Sequence, residues 1–176
     1  MSGESSLGAR AYRDLVGHFA TGVTVITMAG EAPRGMTANA ITSVSLDPQL
    51  LLVCVDKGST THDPLLHSGA FTVNILAADQ REASDFFALH GEEHERSLRT
   101  GDIPDRMGGF SYHPGATGSP ILEGTLGWLD CRIWDNYDGG DHTIVVGEVV
   151  DMELSRRNGG PLLFFTGGYR QIGGPV

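Results

Sequence analysis

Short runs of β-branched and aliphatic residues, each closed by Gly, Pro, Asp or Asn, recur along this chain and constrain its fold most tightly. Val23–Met28, Leu50–Val55, Phe71–Leu76 and Leu162–Phe165 are strand-length, and Gly124–Trp134 and Thr143–Leu154 are longer runs of the same kind. The turn signals between them are Gly30–Gly35, Asp47-Pro48, and the Gly139-Gly140 pair inside Asp135–Asp141, which predicts a hairpin. The 25 glycines follow no collagen-like period, so tight turns account for them. Many strands, short connections and few helices predict a mainly β fold closed into a barrel.

Helical patterning is confined to a few places. Leu7, Ala11, Leu15 and Phe19 recur every four residues with Tyr12 and Val16 beside them, which predicts an amphipathic helix ended by Gly22. Asp79 and Glu82 have capping-box spacing, with Ala83, Phe86 and Phe87 as the buried stripe. Pro64–Ser68 has room for one helical turn, and Glu92–Pro104 reads as a solvated loop or short helix.

The 12 basic residues against 22 acidic ones give a net charge of −10, a surface that repels phosphate backbones and anionic lipid heads. Nucleic acid and membranes are therefore not expected partners. A phosphate-bearing small molecule is not excluded, because backbone N–H groups bind phosphate without net positive charge. Cys54 and Cys131 lie in apolar runs, outside any C-x-x-C or His/Cys cluster, so two reduced thiols and no metal site are expected. Met1–Arg10 has no apolar leader-like core and no run is long enough for a membrane span, so the expected compartment is the cytoplasm. The length suits one domain over residues 1–176, with its core at about 12–170.

Three segments offer binding chemistry, and each also has an ordinary structural reading. Gly35–Ser45 is too polar for a strand buried on both faces. Alternation would align Thr37, Asn39, Ile41 and Ser43 beside a flat, polar-edged ring, or simply expose one face of a sheet to water. Gly58-Ser59-Thr60-Thr61-His62 offers a tight turn, hydroxyls and the start of a helix, a setting for a phosphate or for ordinary capping. His142, after Gly139-Gly140-Asp141, could hydrogen-bond a nicotinamide or diphosphate, or be solvated. There is no G-x-G-x-x-G fingerprint, Walker loop or G-x-S-x-G elbow.

In their order and spacing, several segments together resemble the short-chain NAD(P)H:flavin reductases, the reductase components of two-component flavin-dependent monooxygenases. They are His18–Val25, Gly35–Asn39, Thr42–Pro48, Ser59–His62, Phe71–Leu76, Gly140–His142, Gly147–Val149, Pro161–Leu163 and Gly168–Arg170. The resemblance covers about Tyr12 to Arg170. It departs from the family pattern at Ala40, where Ser is more usual, and at Leu89–Pro104, which is longer and more charged.

The resemblance implies an FMN-binding split β-barrel that forms a homodimer with one flavin per subunit. Carried over by position, Thr37, Ala38, Asn39, Ser43, Val44 and Ser45 would approach the isoalloxazine and ribityl chain. Cys54, Val55 and Asp56 would line the same site, with Phe71 packed nearby. Ser59, Thr60, Thr61 and His62 would take the phosphate, while His142, Tyr169 and Arg170 would meet the nicotinamide nucleotide. The implied activity is NADH-dependent reduction of FMN or FAD, with reduced flavin diffusing to a partner monooxygenase. Hydride passes directly between the cofactors, so no protein residue is expected to be catalytic. The competing readings are a reductase that keeps its flavin and reduces ferric iron or a cobalamin, and a flavin-binding module without catalysis.

Overall fold

The computed structural model describes residues 8–89, 100–101 and 105–173. The expectation for Glu92–Pro104 therefore falls almost wholly outside the described residues. The elements in chain order are α1 (Ala9–Val16), β1 (Thr21–Gly22), β2 (Thr24–Met28), β3 (Arg34–Ala38), β4 (Ile41–Leu46), β5 (Gln49–Asp56), α2 (His62–Ser68) and β6 (Ala70–Ile75). They continue with α3 (Arg81–Phe87), β7 (Tyr112–Pro114), β8 (Pro120–Leu122), β9 (Gly127–Gly139), β10 (His142–Glu153), β11 (Leu163–Phe165) and β12 (Gly168–Arg170).

Seven strands form one antiparallel sheet in the order β3-β2-β6-β9-β10-β5-β4. Strands β3 and β4 stand at its opposite ends, yet only Asn39 and Ala40 separate them in the chain. In a flat sheet with ~4.8 Å between neighbours the two ends would lie roughly 29 Å apart, far beyond a two-residue link. The sheet must roll until its ends meet. At the seam β3 lies against β5, while the Cys54 amide on β5 donates to the Ala40 carbonyl at 3.0 Å and carries the β4–β5 ladder up to the crossover. The expected mainly β, barrel-type fold is what forms.

Ile26, Met28, Met36, Val53, Val55, Phe71, Val73, Cys131 and Val145 fill the barrel. A second cluster, with Val23, Val25, Leu76, Ala83, Phe87, Met107, Leu122 and Leu162, lies on the other face of β2. Every residue of β2 is buried because both of its faces are covered. On β10, a Cβ at Gly147 would lie 2.6 Å from Phe71 Cζ and 2.9 Å from Cys131 Cβ, so only glycine lets that strand cross the Phe71 ring.

Among the described residues, every buried polar side chain has a partner. Asn74 donates to the Val25 carbonyl at 3.1 Å and to Thr27 Oγ1 at 3.0 Å, and accepts the Leu122 amide at 2.8 Å. The Asp130 carboxylate, inaccessible to solvent, accepts from Thr72 Oγ1 at 3.0 Å, Thr117 N at 2.7 Å and Thr117 Oγ1 at 2.6 Å. These bonds tie the turn between β7 and β8 to the barrel wall.

The helices depart from expectation. The predicted N-terminal helix ends at Val16, capped by Gly17, and buries none of its residues; Thr21-Gly22 is a strand. Its apolar face, predicted to pack, stands open at Tyr12, Leu15 and Val16, with Phe19 just beyond. Residues 62–68 make a longer helix than the single turn expected, stopped by Gly69 at φ 68°. Helix α3 starts without the Asp79–Glu82 box. Gln80 Oε1 accepts the Ala77 amide instead, and Asp79 pairs with Arg156 at 3.0 Å. Of the predicted stripe, Ala83 and Phe87 are buried and Phe86 half-buried.

Candidate functional site

The closure seam opens into a cavity of about 170 Å³. Its walls are Gly35–Ala40, Cys54, Asp56, Ser59, Thr60, Thr61, Phe87, Leu89 and His142. Six consecutive residues of β3 and its exit line it, from both sides of the pleat. The strand therefore presents its edge to the cavity, not one alternating face. Among the described residues that edge has no ladder partner, β3 pairing there with β2 alone. The alignment of Thr37, Asn39, Ile41 and Ser43 fails because the chain leaves β3 after Ala38 and joins the sheet's other end as β4.

Side-chain hydroxyls and amides fix this crossover. Thr24 Oγ1 donates to the Ala38 carbonyl at 2.6 Å, Thr37 Oγ1 to the Ser84 carbonyl at 2.7 Å, and Asn39 Nδ2 to Thr21 Oγ1 at 3.2 Å. Gly35 admits Phe87, whose ring carbon lies 2.9 Å from where a Cβ would stand.

The floor is the loop after β5. The Asp56 carboxylate accepts the Gly58 amide at 2.7 Å and its carbonyl accepts the Ser59 amide at 3.0 Å. Among the described residues, no protein acceptor takes the amides of Thr60 or Thr61. Thr61 Oγ1 lies 3.2 Å from both Ser59 Oγ and Met36 Sδ. Lys57 clamps the β9–β10 hairpin to this loop, pairing with Asp138 and donating to the Gly140 carbonyl at 2.7 Å. It holds the Asp138 carboxyl below its ordinary range. The clamp sets His142 against the loop. His142 Nδ1 lies 2.7 Å from Asp141 Oδ1, and that bond lowers the Asp141 carboxyl.

The structure thus brings together Thr37, Ala38, Asn39, Cys54, Asp56, Ser59, Thr60, Thr61 and His142. The other sequence candidates are placed elsewhere. Val55 and Phe71 point into the barrel core, because Val55 alternates with the cavity-facing Cys54 and Asp56, and Phe71 lies under Gly147. The His62 ring turns away: Nδ1 donates to Asp63 at 2.8 Å and Nε2 bonds Thr143 Oγ1 at 2.8 Å. Ser43 and Ser45 line a separate, mostly apolar groove of about 340 Å³ with Ile41, Leu46, Leu129, Val149 and Met152, and Val44 is half-exposed.

Tyr169 borders a second cavity of about 190 Å³ that adjoins the first through Thr37 and Asn39. Its hydroxyl is 2.8 Å from both Ser84 Oγ and Asp85 Oδ1, with the Arg81 guanidinium 5.1 Å from its ring. Burial, with the Asp85 carboxylate beside it, raises the Tyr169 hydroxyl. Arg170 folds back onto the Tyr169 carbonyl at 2.8 Å and lines neither cavity.

Phe87, Leu89 and Ser84 were not foreseen as site residues. Phe87 stood in the predicted helical stripe, where it signalled core packing, and Ser84 and Leu89 carried no signal; only the approach of α3 to β3 brings them to the two cavities. Cys54 is a half-buried thiol raised by burial, and Cys131 is pushed up to about 12 by burial and Asp130. Both are unpaired, as expected. Among the described residues no group of His, Cys, Asp and Glu could hold a metal ion.

A strand edge unpaired among the described residues, beside a loop with unspent amides and weakly engaged hydroxyls, suits a flat heterocycle carrying a phosphate tail. Residues 16–173 match the flavin reductase like domain family, and the chain belongs to it. It is 40% identical over 162 residues to a probable flavin reductase of Rhizobium meliloti, covering 91% of this chain but 48% of that protein's length. It is 40% identical to an NADH-dependent FAD reductase of Streptomyces globisporus, covering 91% of this chain and 84% of that one. It is 35% identical to the flavin-dependent monooxygenase reductase subunit HsaB of Mycobacterium tuberculosis, covering 96% and 84%. Among solved structures, the Streptomyces globisporus NADH:FAD oxidoreductase SgcE6 in complex with NAD and FAD fragments superposes with a TM-score of 0.84 at 36% identity, covering 98% of each chain.

Proposed function

We propose that this protein is an NADH-dependent flavin reductase that binds FMN or FAD at the barrel seam and releases reduced flavin to a partner flavin-dependent monooxygenase. The observation that carries the reading is the meeting of the β3 edge with the Ser59–Thr61 loop in one cavity. When bound, flavin and NADH would themselves supply the redox chemistry, hydride transfer from the nicotinamide to the flavin. The protein would orient them: the amides and carbonyls of Gly35–Ala40 would meet the ring edge, and Thr60 and Thr61 would hold the phosphate. His142, at the rim of the hairpin, would meet the nicotinamide nucleotide, and Phe87 and Leu89, which also line the cavity, would exclude water. The family relationship and the relatives' names support this assignment.

Anaerobic mixing with NADH and either flavin tests it: bleaching of the flavin absorbance with matching loss of NADH is expected. No NADH consumption would leave a binding module, and turnover only with another acceptor would leave a reductase that retains its flavin. In the same assay His142→Ala should raise the KM for NADH about tenfold, ~1.4 kcal/mol, with flavin affinity within about twofold. A collapse of flavin binding with KM unchanged would move His142 to the flavin.

The reading extends to a homodimer of one-domain subunits in the cytoplasm, the compartment that suits two unpaired thiols. The apolar groove beside β4 and the open face of α1 support the dimer, because Leu46 (86% exposed), Leu15 (75%) and Phe19 (76%) otherwise meet water. Leu46→Asp should shift the mass in light scattering from twice 18.7 kDa toward 18.7 kDa. A wild-type protein of 18.7 kDa would remove the dimer.

A further inference from the structure

His62 does not line the seam cavity, yet its ring joins the two segments that carry the cavity's floor and rim. It opens α2 directly after Thr61, and its Nε2 lies 2.8 Å from Thr143 Oγ1, on β10 directly after His142. Each end of this bond is therefore the chain neighbour of a cavity residue, one on the Thr60–Thr61 loop and one on the hairpin. Asp63 Oδ1 orients the ring by accepting from Nδ1 at 2.8 Å, so in the neutral ring Nε2 accepts from the Thr143 hydroxyl. Helix α2 is itself fixed, because Leu65 is fully buried in the barrel core.

Two ties thus hold the hairpin beside the loop, and they differ in strength. Lys57 grips the turn from outside, but its ion pair with Asp138 is exposed, and ion pairs in water contribute little. The His62–Thr143 bond is shielded, since the His62 side chain is 13% accessible and Thr143 6%. A bond in that setting keeps its strength, and a lost partner leaves a polar group with little water to replace it. Thr143 shares the inward face of β10 with the core residue Val145, and His142 stands on the other face, about 3.8 Å away along the chain. What fixes Thr143 therefore fixes the backbone of His142.

We infer that His62 is a positioning residue for the nicotinamide nucleotide: through Thr143 it holds His142 in place beside the Thr60–Thr61 loop while touching neither ligand. The inference rests on the flavin reductase reading above and deepens it. The phosphate loop and the nicotinamide side of the site are then one unit. Cutting the tie loosens His142 without removing any group that meets flavin or NADH.

Thr143→Val keeps the shape of the side chain, removes its hydroxyl and leaves the loop and α2 untouched. With FMN saturating, it should raise the KM for NADH about fivefold and leave FMN affinity within about twofold. His62→Ala should do the same, and His62→Gln, which keeps an acceptor near Thr143, should bring the KM back to within about twofold of wild type. The deciding background is His142→Ala. There Thr143→Val should change the KM by less than about twofold, because the residue it positions is gone. The same rise in both backgrounds would show a packing role, and a KM unchanged by Thr143→Val in the wild-type background would show no role; either overturns the inference. The ligand-free protein gives a measure independent of turnover: amide hydrogen exchange at residues 142–144 should quicken about tenfold in Thr143→Val, with β2 and β6 unchanged. Exchange there equal to wild type overturns the inference even where the KM rises. A wild type that oxidises no NADH with FMN or FAD would instead fail the functional reading itself.

Discussion

Replacing Thr60 and Thr61 together by alanine is expected to weaken FMN about 100-fold while riboflavin binding changes less than about twofold, because only FMN carries the phosphate. The geometry behind this is local. The turn made by Asp56 and Gly58 spends the Ser59 amide but leaves those of Thr60 and Thr61 aimed at no protein acceptor among the described residues. Their hydroxyls add two donors. Thr61 Oγ1 now rests against Met36 Sδ, a weak acceptor that it gives up at little cost. Each hydrogen bond to a charged phosphate contributes about 1.5–3 kcal/mol, so losing both hydroxyl bonds costs at least about 3 kcal/mol. Isothermal titration with FMN and riboflavin checks the difference. Equal weakening of the two ligands would place the phosphate elsewhere.

The largest stability effect is expected at Asp130, far from the ligand. Asp130→Ala removes the acceptor of Thr72 Oγ1, which is buried, and of Thr117 N and Thr117 Oγ1, which are half-buried, with Ser119 Oγ at 3.0 Å left to the Thr117 hydroxyl. It also opens space beside Gly115, where a Cβ would now meet Asp130 Oδ2 at 2.6 Å. Unsatisfied buried donors cost about 1–3 kcal/mol each, partly relieved by relaxation, so a loss of about 3 kcal/mol is expected. For a chain this size that lowers Tm by about 6–12 °C in a thermal melt. Asp130→Asn keeps an acceptor oxygen and should recover more than half of the loss. A melt of Asp130→Ala within about 2 °C of wild type would show that the carboxylate is dispensable.

Strands were legible because their cause is local. The β-branched runs Val23–Met28, Leu50–Val55 and Phe71–Leu76 form strands within two residues of their predicted ends; the predicted hairpin forms, but it turns at Gly140-Asp141, and Asp135–Gly139 of the expected connection continues β9. Helices were less legible. In α1 the apolar period is real, but the period says only that a face is apolar, not that this chain covers it. At α3 the side chain of Gln80 reached the Ala77 amide and Asp79 found Arg156, two contacts invisible to a spacing rule.

The site divides in the same way. Composition alone drew attention to Gly35–Ser45, Ser59–His62 and His142, since hydroxyls and glycines in those orders serve a polar strand face, a phosphate loop or a turn. Their assembly is a property of closure. Asn39 and Ala40 carry the chain between the two ends of a seven-stranded sheet, and that short link rolls the sheet and turns an edge, not a face, toward the cavity. The same closure sends Ser43 and Ser45 to another groove and Val55 into the core, although the sequence places them in the same candidate segments. Sequence by itself determined the strands, the turns and the chemical types at the site, because these follow from backbone preference and side-chain pattern over a few residues. Tertiary structure alone decided which of those residues share a cavity, because that depends on sheet order, and sheet order is set by packing between segments far apart in the chain.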